Sequence, residues 1–328
     1  MTAVGLISLP QVRYVADRCP VPDPEERRTC LIVTTTSSSS PLLLTAGSRT
    51  FSFESGPLLM GVLNVTPDSF SDGGAYLTVE HALQHARQMQ AEGADIIDIG
   101  AESSRPGAQP IDETEELRRL LPVLEAVHDA VKLPISVDTT KAAVARRAIR
   151  AGATIVNDIS ALRGDPLMGS LVAETGAAVV LMHMQGTPQS MQQAPRYGHV
   201  VEEVLAFLRE RVQVAIAHGI KGSQIVLDPG FGFGKLQEHN LQLLAEFDVF
   251  TKLGYPVLAG VSRKQFIGNL TQQPVQERGY GTAGAVAVAV LKGARIIRVH
   301  DVRSMRDTVS VVSAISCHAR SHVGVSNA

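Results

Sequence analysis

Short apolar runs alternate along this chain with longer stretches in which apolar residues recur every three to four positions. From Leu58 onward the same unit repeats: a longer stretch ends near a glycine, a β-branched run follows, and a polar residue ends the run. Four of the runs follow a Gly-Ala pair. Glycine, which has no Cβ, suits the left-handed residue that often follows a helix. The pattern predicts amphipathic helices alternating with buried strands.

Eight runs have the length and composition of strands. They are Leu58–Leu63, Asp95–Ile99, Leu133–Asp138, Thr154–Asn157, Ala178–Met182, Gln224–Asp228, Pro256–Ala259 and Arg295–Val299. Eight strand–helix units in about 260 residues predict an α/β fold, a single (β/α)8 TIM barrel. The alternative is an open doubly wound sheet, which normally carries a glycine-rich nucleotide-binding turn after its first strand. No such turn follows the first strand here.

Two helix starts carry recognisable capping residues. Thr78 precedes an apolar stripe and is predicted to cap the first helix. Asp112 stands three residues before Glu115, so the two are expected to form a capping box with Asp in place of Ser or Thr.

Composition narrows the function classes. The 328 residues are 45% hydrophobic and 19% charged, with a net charge of -2. This balance fits a globular protein and gives no electrostatic reason to expect nucleic acid or a membrane surface as partner. The apolar runs are too short to cross a bilayer. Three cysteines, Cys19, Cys30 and Cys317, fit neither a disulfide framework nor a zinc motif, so we expect a cytoplasmic protein.

The ends of the chain differ from its middle. Residues 1–41 lack sustained periodicity and finish in a Thr- and Ser-rich run, so we expect a poorly ordered N-terminal extension. Acidic residues within it argue against a transit peptide. The barrel is expected to occupy residues 42–316, and residues 317–328 a C-terminal tail.

Polar residues follow every predicted strand. In a TIM barrel the active site lies at the C-terminal ends of the strands, so these side chains should meet at one mouth. A single polar residue at a strand end is ordinary, but carboxylates, amides and cations at all eight ends favour a site for a polar, anionic ligand. In chain order they are Asn64, the Glu102–Arg105 segment, Asp138, Asn157, His183, Asp228, Lys264, and Arg298 with His300.

Several of these residues lie in strings that resemble the signatures of dihydropteroate synthases. Met60–Gly74 resembles the first signature and Ile99–Gly107 the second. Five further strings match the family in its order: Ser136–Thr139, Asn157–Ile159, Asp228–Lys235, Ser262–Lys264 and Arg298–Asp301. The resemblance covers roughly residues 42–316. It implies a transferase of folate biosynthesis that condenses 6-hydroxymethyl-7,8-dihydropterin diphosphate with 4-aminobenzoate, releasing pyrophosphate and forming 7,8-dihydropteroate.

The resemblance also assigns pterin-binding residues, and their chemistry is consistent with that role. A pterin presents an exocyclic amine and a ring N–H, which carboxylate and amide oxygens complement, as they do on base edges. The implied pterin-binding residues are Asp138, Asn157, Asp228, Lys264, Met182 and Phe233. Asp138 could instead cap the helix that follows it. The glycine-rich string Asp228–Lys235 lacks the spacing of a nucleotide P-loop, so its glycines are expected to admit a flat ring.

The remaining substrate contacts rest on the resemblance as well. Arg105, Arg298 and His300 would hold the diphosphate, since arginine forks match phosphate oxygens, and Asn64 would help to ligate Mg²⁺. Surface ion pairing is the alternative for an isolated arginine, and Arg263 could equally be structural. The loops that contain Phe70, Ser104 and Pro106, together with Ser262, would form the 4-aminobenzoate pocket, which makes the enzyme a sulfonamide target. Ser104 stands where the family commonly has Thr.

Two other functions compete with synthase activity. A pterin-binding methyltransferase domain shares the barrel and the Asp and Asn residues, but it has no diphosphate to hold, so the arginine-containing strings count against it. A non-catalytic paralogue that binds a pterin or a protein partner would be expected to lack Lys264, Arg298 or Asn64, and all three are present. The family is typically homodimeric, so we expect a homodimer that acts on small molecules.

Overall fold

The computed structural model describes residues 41–65 and 75–323, and their side chains except those of residues 75–78 and 319–323. Predictions for residues 1–40, for the loop that contains Phe70, and for residues 324–328 lie outside the described residues. The compact unit that holds the described residues spans Pro41–Ala328.

An antiparallel hairpin precedes eight parallel strands. The hairpin consists of β1 (Leu43–Ala46) and β2 (Arg49–Ser52). The parallel strands are β3 (Leu58–Asn64), β4 (Ile96–Gly100), β5 (Ile135–Asp138), β6 (Ala153–Asp158), β7 (Ala178–Met182), β8 (Ile225–Asp228), β9 (Leu258–Ala259) and β10 (Ile296–Val299). They pair in the order β8-β7-β6-β5-β4-β3-β10-β9, and a parallel bridge between Leu227 and Val257 joins the two ends. The predicted barrel is confirmed, with every strand end within two residues of its prediction.

Helices cover the outside of the barrel. They are α1 (Ala75–Ala91), α2 (Glu113–Ala130), α3 (Ala142–Arg150), α4 (Met168–Thr175), α5 (Val200–Ala217), α6 (Gln237–Ala245), α7 (Asp248–Thr251), α8 (Gln265–Thr271), α9 (Gly279–Leu291) and α10 (Val302–Val323), with 3-10 turns at Gly222–Gln224 and Val275–Glu277. Within the described part of the chain, none of them combines the length and apolar composition that crossing a bilayer requires.

The predicted helix boundaries were partly wrong. Helix α1 begins at Ala75, so Thr78 lies inside the helix and does not cap it. Asp112 does cap α2, because its carboxylate accepts the Glu115 N–H at 2.8 Å. Glu115 does not complete the capping box; its carboxylate binds Arg118 and Arg119 instead. Helix α10 runs on to Val323, so residues 317–323 belong to a helix and not to a separate tail.

The apolar core has an inner and an outer part. The outer part lies between strands and helices, because the apolar face of each helix must pack against the sheet. The inner part fills the barrel with side chains such as Met60, Ile96, Ile155, Val226 and Ile296. Leu44, Ala46 and Phe53, from the hairpin and the residue after it, pack into the same inner part. The hairpin, which the sequence analysis did not predict, therefore closes the end of the barrel opposite the strand exits.

Candidate active site

The inner surface of the barrel changes from apolar to polar or charged between one inward-facing residue of a strand and the next. Successive inward-facing residues of a strand are two positions apart. Two residues beyond Ile96, Ile155, Val226 and Ile296 stand Asp98, Asn157, Asp228 and Arg298. Alternation in the strands thus places a layer of charged and amide side chains directly above the apolar plug, where they are shielded from bulk water.

A narrow cavity opens above this layer. It is lined by Ser104, Asp138, Asn157, Ile159, Met182, Asp228, Phe231, Phe233, Gly260, Lys264 and Arg298. All six residues that the resemblance assigned to the pterin lie in this one cavity. Ile159 and Phe231 lie within matched strings and Gly260 lies two residues before one, but as uncharged residues without a polar side chain they were not singled out as binding residues.

Arg298 is bound by two carboxylates inside the barrel. Its Nε donates to Asp98 Oδ2 at 2.7 Å and its Nη2 to Asp138 Oδ2 at 3.1 Å. Asn157 Nδ2 donates to the same Asp98 oxygen at 3.1 Å. The second oxygen of Asp98 is buried and has no hydrogen-bond partner among the described residues. Asp98 was not among the predicted site residues, although a single carboxylate within the apolar run Ile96–Gly100 was a signal that could have revealed it.

Asp138 faces the cavity and does not cap the next helix. The first N–H of α3, from Ala142, is accepted by Asp165 Oδ2 at 2.8 Å, so the capping alternative is wrong. Burial and, after it, the neighbouring Asp98 together raise the pKa of Asp138 to about 7 against the opposing effect of Arg298. The protonation of Asp138 therefore changes close to neutral pH.

The glycine-rich string after β8 folds around a buried lysine. Lys235 Nζ donates to Gly230 O at 2.9 Å and Phe233 O at 3.0 Å, and it lies 2.9 Å from His183 Nδ1. Gly230 has a φ of +71°, and a Cβ there would stand 1.9 Å from the His183 carbonyl oxygen. Lys235 holds the loop from within, since its ammonium binds carbonyl oxygens of the loop itself. The sequence had excluded a P-loop here but had not indicated this role for Lys235.

Burial shifts the pKa values of these basic groups downward. The pKa of Lys235 falls to about 7, although the carboxylate of Asp228 opposes the shift. Burial also lowers the pKa of His183 to about 2, and the Lys235 charge adds to that effect. His183 is therefore a neutral imidazole at physiological pH, able to accept from Lys235 at Nδ1.

Lys264 and Phe233 form the far wall of the cavity. The Lys264 ammonium lies 4.2 Å from the centroid of the Phe233 ring, a cation–π contact. Burial lowers the pKa of Lys264 to about 8, with Arg298 contributing and Asp228 opposing. Burial raises the pKa of Asp228, whose Oδ1 accepts the Gly230 N–H at 2.7 Å. The cavity thus offers carboxylate and amide acceptors, one ammonium donor and an apolar ring face.

A wider, polar cleft extends from two residues at the strand exits along helices α1 and α10. Asn64 and His300 line it, together with Val62, His85, Gln88, Glu92, Arg263, Asp301, Arg303, Ser304 and Asp307. Ser262 is buried behind His300: its Oγ lies 3.0 Å from His300 Nδ1 and accepts the His300 N–H at 3.2 Å. Arg263 binds Asp301, with Nε 3.0 Å from Oδ2. Burial, and then Arg298, lower the pKa of His300 to about 3, so it is neutral at physiological pH.

The residues expected at the diphosphate and 4-aminobenzoate are distributed over three places. Arg298 and Ser104 line the narrow cavity, and Asn64 and His300 line the wide cleft. Arg105 and Pro106 are exposed on the loop between β4 and α2. Phe70 lies outside the described residues. Within residues 41–65 and 75–323, no group of three or more His, Cys, Asp and Glu side chains is arranged to hold a metal.

Sequence comparison identifies relatives over most of the chain. Residues 60–300 match the family described as pterin binding enzyme. The dihydropteroate synthase of Haemophilus influenzae is 47% identical over 260 residues, which cover 79% of this chain and 94% of the relative. That of Bacillus subtilis is 44% identical over 264 residues, covering 80% of this chain and 90% of the relative.

Structural comparison identifies the same class of enzyme. The Xanthomonas albilineans dihydropteroate synthase solved with 4-aminobenzoic acid superposes with a TM-score of 0.79 at 45% identity, covering 84% of this chain and 98% of that one. The Yersinia pestis enzyme solved with a sulfonamide drug has a TM-score of 0.79 at 44% identity, and the match covers 84% of this chain and 100% of the Yersinia pestis chain.

Proposed function

The chain belongs to the pterin binding enzymes, and within them to the dihydropteroate synthases, and from this premise we propose how its residues divide the reaction among them. The enzyme is a transferase that joins 6-hydroxymethyl-7,8-dihydropterin diphosphate to 4-aminobenzoate. The methyltransferase and non-catalytic alternatives are not favoured, because the curated relatives at 42–47% identity are synthases.

The narrow cavity is the proposed pterin site. Asp138 and Asp228 accept the exocyclic amine and ring N–H, Asn157 binds a further ring atom, and Lys264 donates to the ring carbonyl. Met182 and Phe233 lie against the ring faces. The observation that supports this assignment best is that all six side chains line one cavity, with Asn157 and Asp228 buried and Asp138 and Lys264 partly buried. Polar groups that are out of water favour a ligand that satisfies them all.

The proposed chemistry needs no nucleophile from the protein. The C–O bond between the pterin methylene and the diphosphate breaks, and the aryl amine nitrogen forms a C–N bond to that carbon and then loses a proton. Because the dihydropterin ring can carry positive charge, we place bond breaking ahead of attack. The carboxylates of the cavity then stabilise the cationic ring. Their burial within the barrel strengthens this effect relative to water.

The wide cleft is the proposed position of the diphosphate. His300 and Asn64 line it, and Arg105 would reach it from the exposed loop. Arg298, bound to two carboxylates in the neighbouring cavity, would act where the ring meets the diphosphate. Asn64 offers a hard amide oxygen, which fits Mg²⁺ held mainly by phosphate oxygens and water. Bound Mg²⁺ would neutralise charge on the departing pyrophosphate.

The second substrate is proposed to bind beside Ser104. Ser104 lines the pterin cavity, and Pro106 is two residues further along the same loop. Together with Phe70 they would enclose 4-aminobenzoate or a sulfonamide, the ligands with which the Xanthomonas albilineans and Yersinia pestis enzymes were solved. Ser262, whose Oγ lies 3.0 Å from His300 Nδ1, would also contact this substrate.

We also propose a homodimer located in the cytoplasm. Helix α9 contains no charged residue, yet Tyr280, Val288 and Leu291 are exposed on it. Val311 and Ile315 are exposed on the neighbouring α10. A helix that is apolar on all sides is normally buried, so a second copy of the chain would cover this surface. Light scattering of the purified protein tests the oligomeric state.

The decisive test of the function is a pyrophosphate-release assay. Purified protein should release pyrophosphate only when both substrates are present, and the product should have the mass of 7,8-dihydropteroate. Methyl transfer, or pterin binding without turnover, would support one of the two alternatives instead. Omitting and restoring Mg²⁺ in the same assay tests the proposed metal requirement.

A further inference from the structure

Glu102 joins the two ends of the loop that contains Ser104, Arg105 and Pro106. Its Oε1 accepts the Ile111 N–H at 3.1 Å, so residues 103–110 form a loop whose ends are tied at one carboxylate. Such compact loops keep their shape through contacts at their base. The orientation of the loop above the mouth is thus set where it begins and ends.

The same carboxylate is held by a lysine next to the pterin cavity. Lys141 Nζ lies 2.5 Å from Glu102 Oε2 and 2.6 Å from Glu116 Oε2. Lys141 follows Asp138 by three residues, and its N–H donates to Thr139 Oγ1 at 3.2 Å. Glu116 is fully buried on α2. The Lys141 ammonium therefore connects the loop to a buried carboxylate of the helix that follows it, and the Lys141 backbone ties the pair to the end of β5.

We propose that Glu102, Lys141 and Glu116 are positioning residues that orient the 103–110 loop for the second substrate. This inference rests on the proposed function, because it assumes that 4-aminobenzoate binds beside Ser104. Ion pairs with little solvent access hold a geometry better than exposed pairs do. The network also gives the loop a fixed position relative to Asp138, so the aryl amine is directed toward the pterin methylene.

The charges of the network allow positioning to be separated from folding. Removing the Glu102 charge leaves Lys141 paired with Glu116, a neutral pair that keeps the buried carboxylate compensated. Removing Lys141 leaves Glu116 buried without a counter-ion, which threatens the fold itself. Glu102→Gln is therefore the informative single variant: its amide still accepts from Ile111 but no longer attracts Lys141.

The test compares Glu102→Gln with Glu174→Gln. Glu174 forms an exposed pair with Arg146 at 3.3 Å on α3 and α4, so its variant has the same charge change outside the site. For Glu102→Gln we expect the KM for 4-aminobenzoate to rise about tenfold or more. The KM for the dihydropterin diphosphate should stay within about threefold of wild type, since the pterin cavity is intact. Glu174→Gln should match wild type in both.

A second pair of variants guards against a folding artefact. Lys141→Met should lower the melting temperature, and adding Glu116→Gln to it should recover much of that loss because the buried charge is gone. Lys141→Met should also raise the KM for 4-aminobenzoate, and this rise should persist in the stabilised double variant. If the network served only to stabilise the fold, the double variant would regain the wild-type KM together with the stability. That result would overturn the proposal.

The outcome also separates this inference from the proposed function. Absence of synthase turnover in the wild-type protein would refute the proposed function. Normal wild-type turnover, with Glu102→Gln raising both KM values equally or neither, would refute only the positioning role.

Discussion

Arg298 and Asp98, 200 positions apart in the chain, form an ion pair of 2.7 Å inside the barrel. Asp98 is fully buried, and Asn157 donates to the same carboxylate oxygen. The guanidinium is thereby fixed between the carboxylates of Asp98 and Asp138 at the base of the narrow cavity. Asp98 is consequently a member of the site although it does not line the cavity.

Asp98→Asn should shift the pH dependence of the enzyme. The negative charge of Asp98 raises the pKa of Asp138, so its removal should lower that pKa. The acidic limb of kcat/KM for the dihydropterin diphosphate should then move to lower pH. Loss of one charge-assisted bond to Arg298 should also cost about 1–3 kcal/mol of stability. An unchanged limb in a folded Asn variant would show that the two carboxylates do not interact.

Asp138→Asn should stabilise the fold above neutral pH while it abolishes activity. The folded pKa of Asp138, about 7, lies above its ordinary value of 3.8. The native state thus binds the extra proton between those values, and wild-type stability should fall as pH rises through that window. The neutral Asn variant escapes this loss, so its melting temperature should exceed that of wild type at pH 8 but not at pH 4. Equal differences at both pH values would contradict the shifted pKa.

Asp228→Asn should leave the barrel folded and remove most pterin binding. Its amide oxygen can still accept from Gly230, which leaves the NH₂ group facing the N–H donors of the pterin. Opposed donors should cost about 2–4 kcal/mol of binding free energy. Calorimetry with a pterin ligand measures the loss, with circular dichroism as the check on folding. Near-normal affinity in the folded variant would refute the assignment of Asp228.

Lys235→Met should loosen the glycine-rich loop. The variant leaves the carbonyl oxygens of Gly230 and Phe233 without their buried donor, at a cost of about 1–3 kcal/mol for each unsatisfied group. Denaturant unfolding should show the lower stability, and pterin affinity should fall because Phe233 is no longer held. Lys221→Met, on the turn before β8, serves as the control. A variant as stable as wild type would mean that the loop keeps its conformation without Lys235.

Sulfonamides should inhibit competitively with 4-aminobenzoate, since they present the same aryl amine to the loop with Ser104. Ser104→Thr adds one methyl, worth at most about 0.8 kcal/mol if fully buried, or roughly a fourfold change in affinity. Steady-state inhibition of the purified wild-type and Ser104→Thr proteins tests both expectations. Noncompetitive inhibition, or a change beyond about tenfold, would place Ser104 in a different environment from the one proposed.

Sequence alone determined the features that depend on neighbours along the chain. The alternation of apolar runs and amphipathic stretches predicted all eight parallel strands, because strand and helix periodicities are local properties. It also placed polar residues at the strand exits, six of which line or border one cavity in the structure. The resemblance to a family then supplied roles for them that periodicity cannot.

Only the tertiary structure decided which of those residues contact one another at the mouth of the barrel. It placed Arg298 between the carboxylates of Asp98 and Asp138, made Lys235 the interior support of its loop, and positioned Ser262 behind His300. It also closed the opposite end of the barrel with the unpredicted hairpin. The contacts of Arg298 and Ser262 join segments distant in sequence, as does the contact of Lys235 with His183. Barrel closure brings them together, and the low solvent access there determines which charges must pair.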